Sequence, residues 1–379
     1  MRTIEAMCSG GTDFSPIWRA VESFSRSEPV YDENYQGSFP HYLYSPGATL
    51  LVAPFSIFGT EELARNAAVI LGFAAFILAV SIFAAILVDH HRTEVALLSL
   101  FLSLIPYEPL NSTLQLTNIN AFLALVLAVF VVGLVKPGLT KCASDKLSQP
   151  YLKSMKFRYS LAGGVAFGFL VTFKPQFGVL GVLALIQLDF ALLFVAILFF
   201  VLFFAAGYSL ISEPRQYFEN LIPYLREPRA AANGSVGGLA HVHNWSQSTV
   251  IYICIVLVAL CVVSLILIDQ LRTCSPEVWA VSGVAVLLST GFLCSGLLQH
   301  YYSIWLIPFA MSIFSLRSPM HYWLNWLCII GCTAAPPLLL GFLFRADTQL
   351  AVSACWSLIP VGIILWKLSP MMYLIYESK

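Results

Sequence analysis

The chain has 379 residues, of which 59% are hydrophobic and 11% charged, with no formal net charge and a mean hydropathy of +0.81. Soluble domains carry about 25% charged residues, so this composition excludes an ordinary water-soluble domain. The neutral balance gives no electrostatic case for nucleic-acid binding. Apolar runs near the length that crosses roughly 30 Å of hydrocarbon recur along the chain. Because backbone groups in lipid must bond within their own segment, the sequence predicts an all-α polytopic membrane protein.

Residues 1–46 precede the first apolar run and hold no stretch long enough for a signal peptide or a first helix. Either the chain starts outside by another route, or its true start lies upstream. Within this region, 11–54 is the longest polar, charged stretch, with Asp13, Glu22, Glu28, Asp32 and Glu33, closing on Tyr44-Ser45-Pro46 and Pro54. A carboxylate-rich loop feeding a multi-span domain reads as a reaction site at a bilayer surface. The chain therefore divides into an extracytoplasmic region, 1–46, and a membrane domain, 47–379, that includes a long outer loop at 213–248.

Residues 47–58 are too short to cross and read as an interfacial or re-entrant piece. The following segments, roughly ten or eleven, are 64–88, 94–106, 118–135, 159–173, 175–188, 190–212, 249–268, 277–295, 301–316, 323–343 and 351–367. Their orientation follows from lysine and arginine. The connection 136–158 carries Lys136, Lys141, Lys146, Lys153, Lys156 and Arg158 against Asp145 alone, which predicts that it is cytoplasmic. Alternation then places Arg92, Arg272, Arg317, Lys367 and Lys379 on the same side. The opposite side receives 1–46, 107–117, 213–248, 296–300 and 344–350. Lys174 is the one lysine at the outer side. The nine cysteines lie mostly in or beside apolar segments, without CxxC or Cys/His metal spacing, and read as buried free thiols.

Several residues are chemical candidates. Asp13, beside Phe14 and Trp18, reads as a general base with a raised pKa or as a helix N-cap. Lys174 precedes Pro175 and reads as a cation aimed into a cavity at a helix break, or as a snorkelling interfacial lysine. His300, before Tyr301 and Tyr302, reads as a phosphate donor or as part of an aromatic belt. His241 and His243 are spaced for a metal but have no acid beside them. Asn111, Asn233 and Asn244 head glycosylation sequons on the predicted outer face.

Taken in order, five stretches carry a family resemblance. They are Asp13 with Tyr31-Asp32, Tyr44-Ser45-Pro46 and Ala53-Pro54; Gln115-Leu116-Thr117-Asn118-Ile119-Asn120; Phe173-Lys174-Pro175; Asn244-Trp245-Ser246; and Ser295 to His300. Together they resemble the polyprenol-phosphate-mannose-dependent mannosyltransferases of glycosyltransferase family 87, which have a GT-C fold. The sequence departs from the family pattern where Leu114 replaces a glycine and where proline, tryptophan and one histidine are missing around His300. The family's helix before the catalytic loop is also missing; a start upstream of Met1 would explain this, and an in-frame apolar segment of about 20 residues there would favour the glycosyltransferase over its rivals.

The resemblance implies an integral-membrane glycosyltransferase that moves a hexose, mannose, from a polyprenyl-phosphate donor to a lipid or glycan hydroxyl with inversion. It makes Asp13 the general base. Tyr44, Gln115, Asn118, Asn120, Lys174, Arg215, Asn244, Ser246 and His300 become substrate-binding candidates, with Arg226 and Arg229 as further cations. It implies a bacterial inner-membrane protein whose site faces away from the cytoplasm, with no cofactor or metal. No glycine-rich phosphate loop or dinucleotide fingerprint is present, in agreement with a lipid-linked donor. A lipid or solute transporter or flippase, with Lys174-Pro175 at a broken helix, is the rival reading, although no repeated halves are visible. An acyltransferase or ligase of surface polymers is a further rival.

Overall fold

The computed structural model describes residues 11–37, 40–88, 108–136, 149–229, 233–333 and 348–369. Among them there is no β-strand. The helices are α1 (Phe14–Ser25), α2 (Pro46–Val52), α3 (Glu61–Leu87), α4 (Glu108–Leu116), α5 (Asn120–Val135), α6 (Gln149–Phe173), α7 (Gly181–Ile186) and α8 (Phe190–Leu210). They continue with α9 (Val236–His243), α10 (Gln247–Ile268), α11 (Pro276–Leu293), α12 (Trp323–Thr333) and α13 (Thr348–Leu368). Helices α3, α8, α10, α11 and α13 contain apolar stretches long enough to span a membrane, and shorter apolar helices lie at Pro46–Phe58, Asn120–Val135, Pro175–Ile186 and Trp323–Thr333. This is an all-α polytopic membrane protein.

Most predicted segments correspond to helices, and the differences have local causes. The expected span 159–173 is the second half of α6, whose first turns rise from the predicted cytoplasmic connection. The expected span 175–188 opens as a 3-10 turn, Pro175–Leu180, because Pro175 cannot continue α6. The expected span 301–316 is broken into a 3-10 stretch, His300–Leu306, the short helix Ile307–Met311 and a further turn, with Pro308 at the junction. The expected span 94–106, and the parts of loops 136–158 and 344–350 at 137–148 and 344–347, lie outside the described residues.

Side-chain shape decides which helices touch. A Cβ on Gly164 would sit 2.6 Å from the Leu192 carbonyl oxygen, and one on Gly168 would sit 2.7 Å from that of Ala196. This small-xxx-small pair lets α6 lie directly on α8. Gly163 meets Gly133 of α5 in the same way, at 3.0 Å from its Cα. Helix α11 is buried over nearly its whole length, with Trp279, Val281, Val284 and Leu288 fully enclosed. In contrast, α8 and α10 leave Phe190, Phe194, Ile197, Ile251, Ile255 and Ile266 exposed. Such apolar faces suit lipid rather than water.

The two ends of the bundle differ chemically. At one end Lys136 reaches Asp189 (Nζ to Oδ2, 2.6 Å), the N-cap of α8, whose carboxylate also accepts from Ser160 Oγ (3.0 Å) and the Leu192 amide (3.2 Å). Arg272 donates there to the Ile186 carbonyl (2.6 Å), and Arg317 to that of Cys274 (2.7 Å). The opposite end gathers α1, α2, α4, the start of the Pro175 turn and the outer loop. Lys136, Arg272 and Arg317, which the alternation assigns to one side, thus lie at the same end of the described bundle.

Candidate active site

Asp13 is placed by two backbone bonds. Gly11, in the left-handed region at φ 99°, donates to the Gln115 carbonyl (2.8 Å), and the Asp13 amide donates to that of Leu116 (3.1 Å). Asp13 occupies the N-cap position of α1, yet its side chain makes no capping bond. Instead Oδ2 accepts from Asn118 Nδ2 (3.4 Å) and from the Tyr301 hydroxyl (3.2 Å). Oδ1 has no hydrogen-bond partner among the described residues. The cap reading is thus overturned, because both donors draw the carboxylate away from the helix. Burial raises the Asp13 pKa above its ordinary value, against the lowering effects of the Asn118 and Tyr301 bonds and of the Lys174 charge.

Asn118 and Asn120 are set by the turn between α4 and α5. Thr117 holds φ 53°, and Asn118 Oδ1 accepts from the Asn120 amide (3.1 Å). Trp305 Nε1 in turn donates to the Asn120 carbonyl (3.2 Å). The Asn120 side chain is buried with both polar atoms unpartnered among the described residues.

Lys174 follows the last residue of α6 in extended conformation (φ −138°). Its Nζ lies 3.7 Å from the Tyr302 ring centroid and 5.1 Å from that of Trp305. Such aromatic faces hold a cation where no carboxylate does, and Lys174 forms no ion pair among the described residues. Its side chain lines the cavity. Arg229 of the long loop repeats the arrangement, 4.8 Å from the Tyr224 ring and likewise without an ion pair there. Asn233 anchors that loop. Its Nδ2 donates to the carbonyls of Arg229 (2.7 Å) and Gly296 (2.9 Å), and its Oδ1 accepts from the amides of Ser235 and Leu298 (2.9 Å each). That sequon is therefore consumed inside the protein.

One cavity of about 490 Å³ joins these groups, lined by Asp13, Tyr44, Asn118, Asn120, Lys174, Gln176, Arg229, Gln299, Tyr301 and Tyr302. Tyr44 is set by Ser45, whose Oγ donates to the Thr172 carbonyl (2.7 Å), and by edge contacts with Tyr42 and Phe173.

Six candidates fall elsewhere. Gln115 is exposed and offers only its carbonyl, to Gly11. Arg215 is exposed, and neither it nor Arg226 lines the cavity. Asn244 is the exposed left-handed C-cap of α9 (φ 54°), and Ser246 caps α10 by accepting from the Thr249 amide (3.2 Å). Asn244 ends one helix and Ser246 begins the next, which accounts for their pattern. His300 opens the 3-10 stretch, half-buried, but does not line the cavity. Its neighbours Gln299, Tyr301 and Tyr302 do, and nothing in the sequence marks them beyond their adjacency to His300. His241 and His243 are exposed on α9, and no group of three His, Cys, Asp or Glu side chains converges among the described residues. Glu33 is half-buried and held by His41 Nδ1 (3.2 Å) and the Tyr42 amide (3.3 Å).

A membrane helix bundle with a cavity lined by the carboxylate of Asp13 and the cations Lys174 and Arg229 defines the class, an integral-membrane enzyme working at one face of its bundle. The model of glycosyltransferase family 87 matches residues 42–296, and the chain belongs to that family. It is a membrane glycosyltransferase. The match includes Asn118, Lys174 and Arg229, and stops short of Asp13 and Tyr301. The chain is similar to the alpha-(1->3)-arabinofuranosyltransferase of Corynebacterium glutamicum, 31% identical over 83% of this chain and 70% of that protein. It is also similar to proteins of the same name from Mycolicibacterium smegmatis (29%, over 87% of this chain and 72% of that protein) and Mycobacterium tuberculosis (29%, 92% and 76%). The expected mannose finds no support in these names, which specify arabinofuranosyl transfer.

Proposed function

We propose that this chain transfers an arabinofuranosyl unit from a polyprenyl-phosphate donor to a hydroxyl of a glycan or lipid acceptor, at the extracytoplasmic face of a bacterial inner membrane. The carrying observation is the pairing within one cavity. The Oδ1 of Asp13 is unpartnered among the described residues, and two cations free of carboxylates, Lys174 and Arg229, rest on aromatic rings. The acceptor hydroxyl gives its proton to Oδ1 while its oxygen attacks the anomeric carbon. The bond from that carbon to the phosphate oxygen breaks in line, so configuration inverts. Lys174 and Arg229 receive the charge that develops on the departing lipid phosphate. Asn118 and Tyr301 hold Oδ2, which keeps Oδ1 oriented. The polyprenyl tail lies among the apolar helices, so no nucleotide site is needed. Residues 1–46 then supply the base, and 47–379 the donor cavity.

The relatives' names move the reading from hexose to pentose, and parallel donors test it. Purified protein receives polyprenyl-phosphate arabinofuranose or polyprenyl-phosphate mannose, each with an arabinan or mannan oligosaccharide. Transfer from the arabinose donor is expected. Transfer from mannose alone would restore the hexose reading, and transfer from neither would remove the polyprenyl-phosphate donor.

A further inference from the structure

The Tyr301 hydroxyl has one proton and two acceptors. It is within hydrogen-bond reach of Asp13 Oδ2, at 3.2 Å, and of Gln299 Oε1. Its ring is fixed edge-on to Tyr302, centroids 5.3 Å apart, so the hydroxyl turns about its C–O bond without moving the side chain. A carboxylate is the stronger acceptor and a neutral carboxylic acid the weaker one. We infer that Tyr301 is a positioning residue that reads the protonation of Asp13, donating to the carboxylate before attack and to Gln299 once Oδ1 holds the acceptor's proton. No proton leaves Tyr301. The bond that stabilises the resting base is withdrawn as the base does its work, so Asp13 takes up the proton more readily than a permanently bonded carboxylate would. The inference rests on the reading of Asp13 as base.

The other charged and titratable groups around Asp13 do not duplicate this role. Lys174 at the end of α6 acts on Asp13 through its charge, and Tyr44 and Tyr302 line the same cavity. At the rim are His41, whose Nδ1 faces Glu33, and Glu227 and Arg229 of the long loop. Helix α3 contributes Glu61, bonded to Ser15 Oγ, and Arg65 beside Gly11. The side chains that hydrogen-bond the Asp13 carboxylate among the described residues are Tyr301 and Asn118.

The test is a titration that needs no substrate. The carboxyl band of Asp13 is followed with pH by infrared difference spectroscopy on the purified full chain, with the Asp13→Asn spectrum subtracted. Tyr301→Phe removes a donor to the charged form and is expected to move the titration up by about one pH unit. Gln299→Met removes the competing acceptor, commits Tyr301 to Asp13, and is expected to move it down. The acid limb of kcat/KM is expected to follow each shift. Opposite shifts support the switch, and any other pattern in folded, monodisperse variants overturns it. Should Asp13→Asn transfer sugar at the native rate, the base reading falls while the titration still reports on Tyr301. An inactive Asp13→Asn without opposite shifts removes the switch alone.

Discussion

At the scale of single residues, Asp13 carries the sharpest expectation. A general base contributes about 10²–10⁴-fold, so Asp13→Asn is expected to remove nearly all transfer while leaving the fold intact. Asp32→Asn, at an exposed position, is expected to leave transfer within about twofold. Burial raises the Asp13 pKa, and the working form is the carboxylate. Activity is therefore lost as pH falls through this raised value, so the acid limb of kcat/KM lies above the ordinary aspartate value and disappears in Asp13→Asn. A limb at or below that value would contradict the environment described for Asp13. The two cations make a second contrast. Lys174→Met and Arg229→Met each withdraw a charge from the departing phosphate, worth about 2–4 kcal/mol in the transition state, or roughly 30- to 1,000-fold in rate. Arg215→Met, away from the cavity, is expected to retain native turnover. Equal losses at all three positions would mean a general effect of loop charge.

At the scale of elements, the site depends on how closely α6 lies on α8, because Lys174 is the first residue past the end of α6 and Tyr44 is fixed to it through Ser45 and Thr172. A leucine at Gly168 would force its Cβ within 2.7 Å of the Ala196 carbonyl oxygen. Overpacking of this kind costs about 1–3 kcal/mol, so Gly168→Leu is expected to lower the thermal midpoint of the purified protein. A surface change such as Lys153→Ala is expected to leave it unchanged. An unaltered midpoint in Gly168→Leu would show that α6 and α8 are not in backbone contact. The outer loop depends instead on Asn233, whose side chain bonds at once to the Arg229, Gly296, Ser235 and Leu298 main chains. Asn233→Ala leaves these groups without a partner and is expected to reduce turnover through Arg229. It should also make the 226–229 segment more readily cleaved by protease.

At the scale of the whole molecule, the sidedness is testable. Positions 241 and 153 are both exposed, the first on α9 beside the outer loop and the second in the first turns of α6. In a cysteine-free background, an impermeant thiol reagent added from outside is expected to label His241→Cys and to miss Lys153→Cys. The reverse pattern would put the cavity on the cytoplasmic face, away from the lipid-linked donor proposed for it. Position 233 is unsuitable for this test because Asn233 is buried.

Composition and apolar run length were enough to establish a helical membrane protein, because hydrocarbon leaves the backbone no other way to bond. The lysines and arginines likewise sorted the connections into two sides, and the described Lys136, Arg272 and Arg317 lie together at one end. Asp13 and Lys174 could be singled out because a carboxylate beside aromatics and a lysine before proline are costly near lipid unless placed in a cavity. The tertiary structure alone decided the partners. Tyr301 and Asp13 are 288 positions apart, and Asn118 is 105 positions from Asp13. No local period reports a meeting at that separation. Asn244 and Ser246 failed as site residues for the complementary reason. A polar residue that ends or begins a helix satisfies orphan backbone groups, and in sequence that need is indistinguishable from a need for substrate.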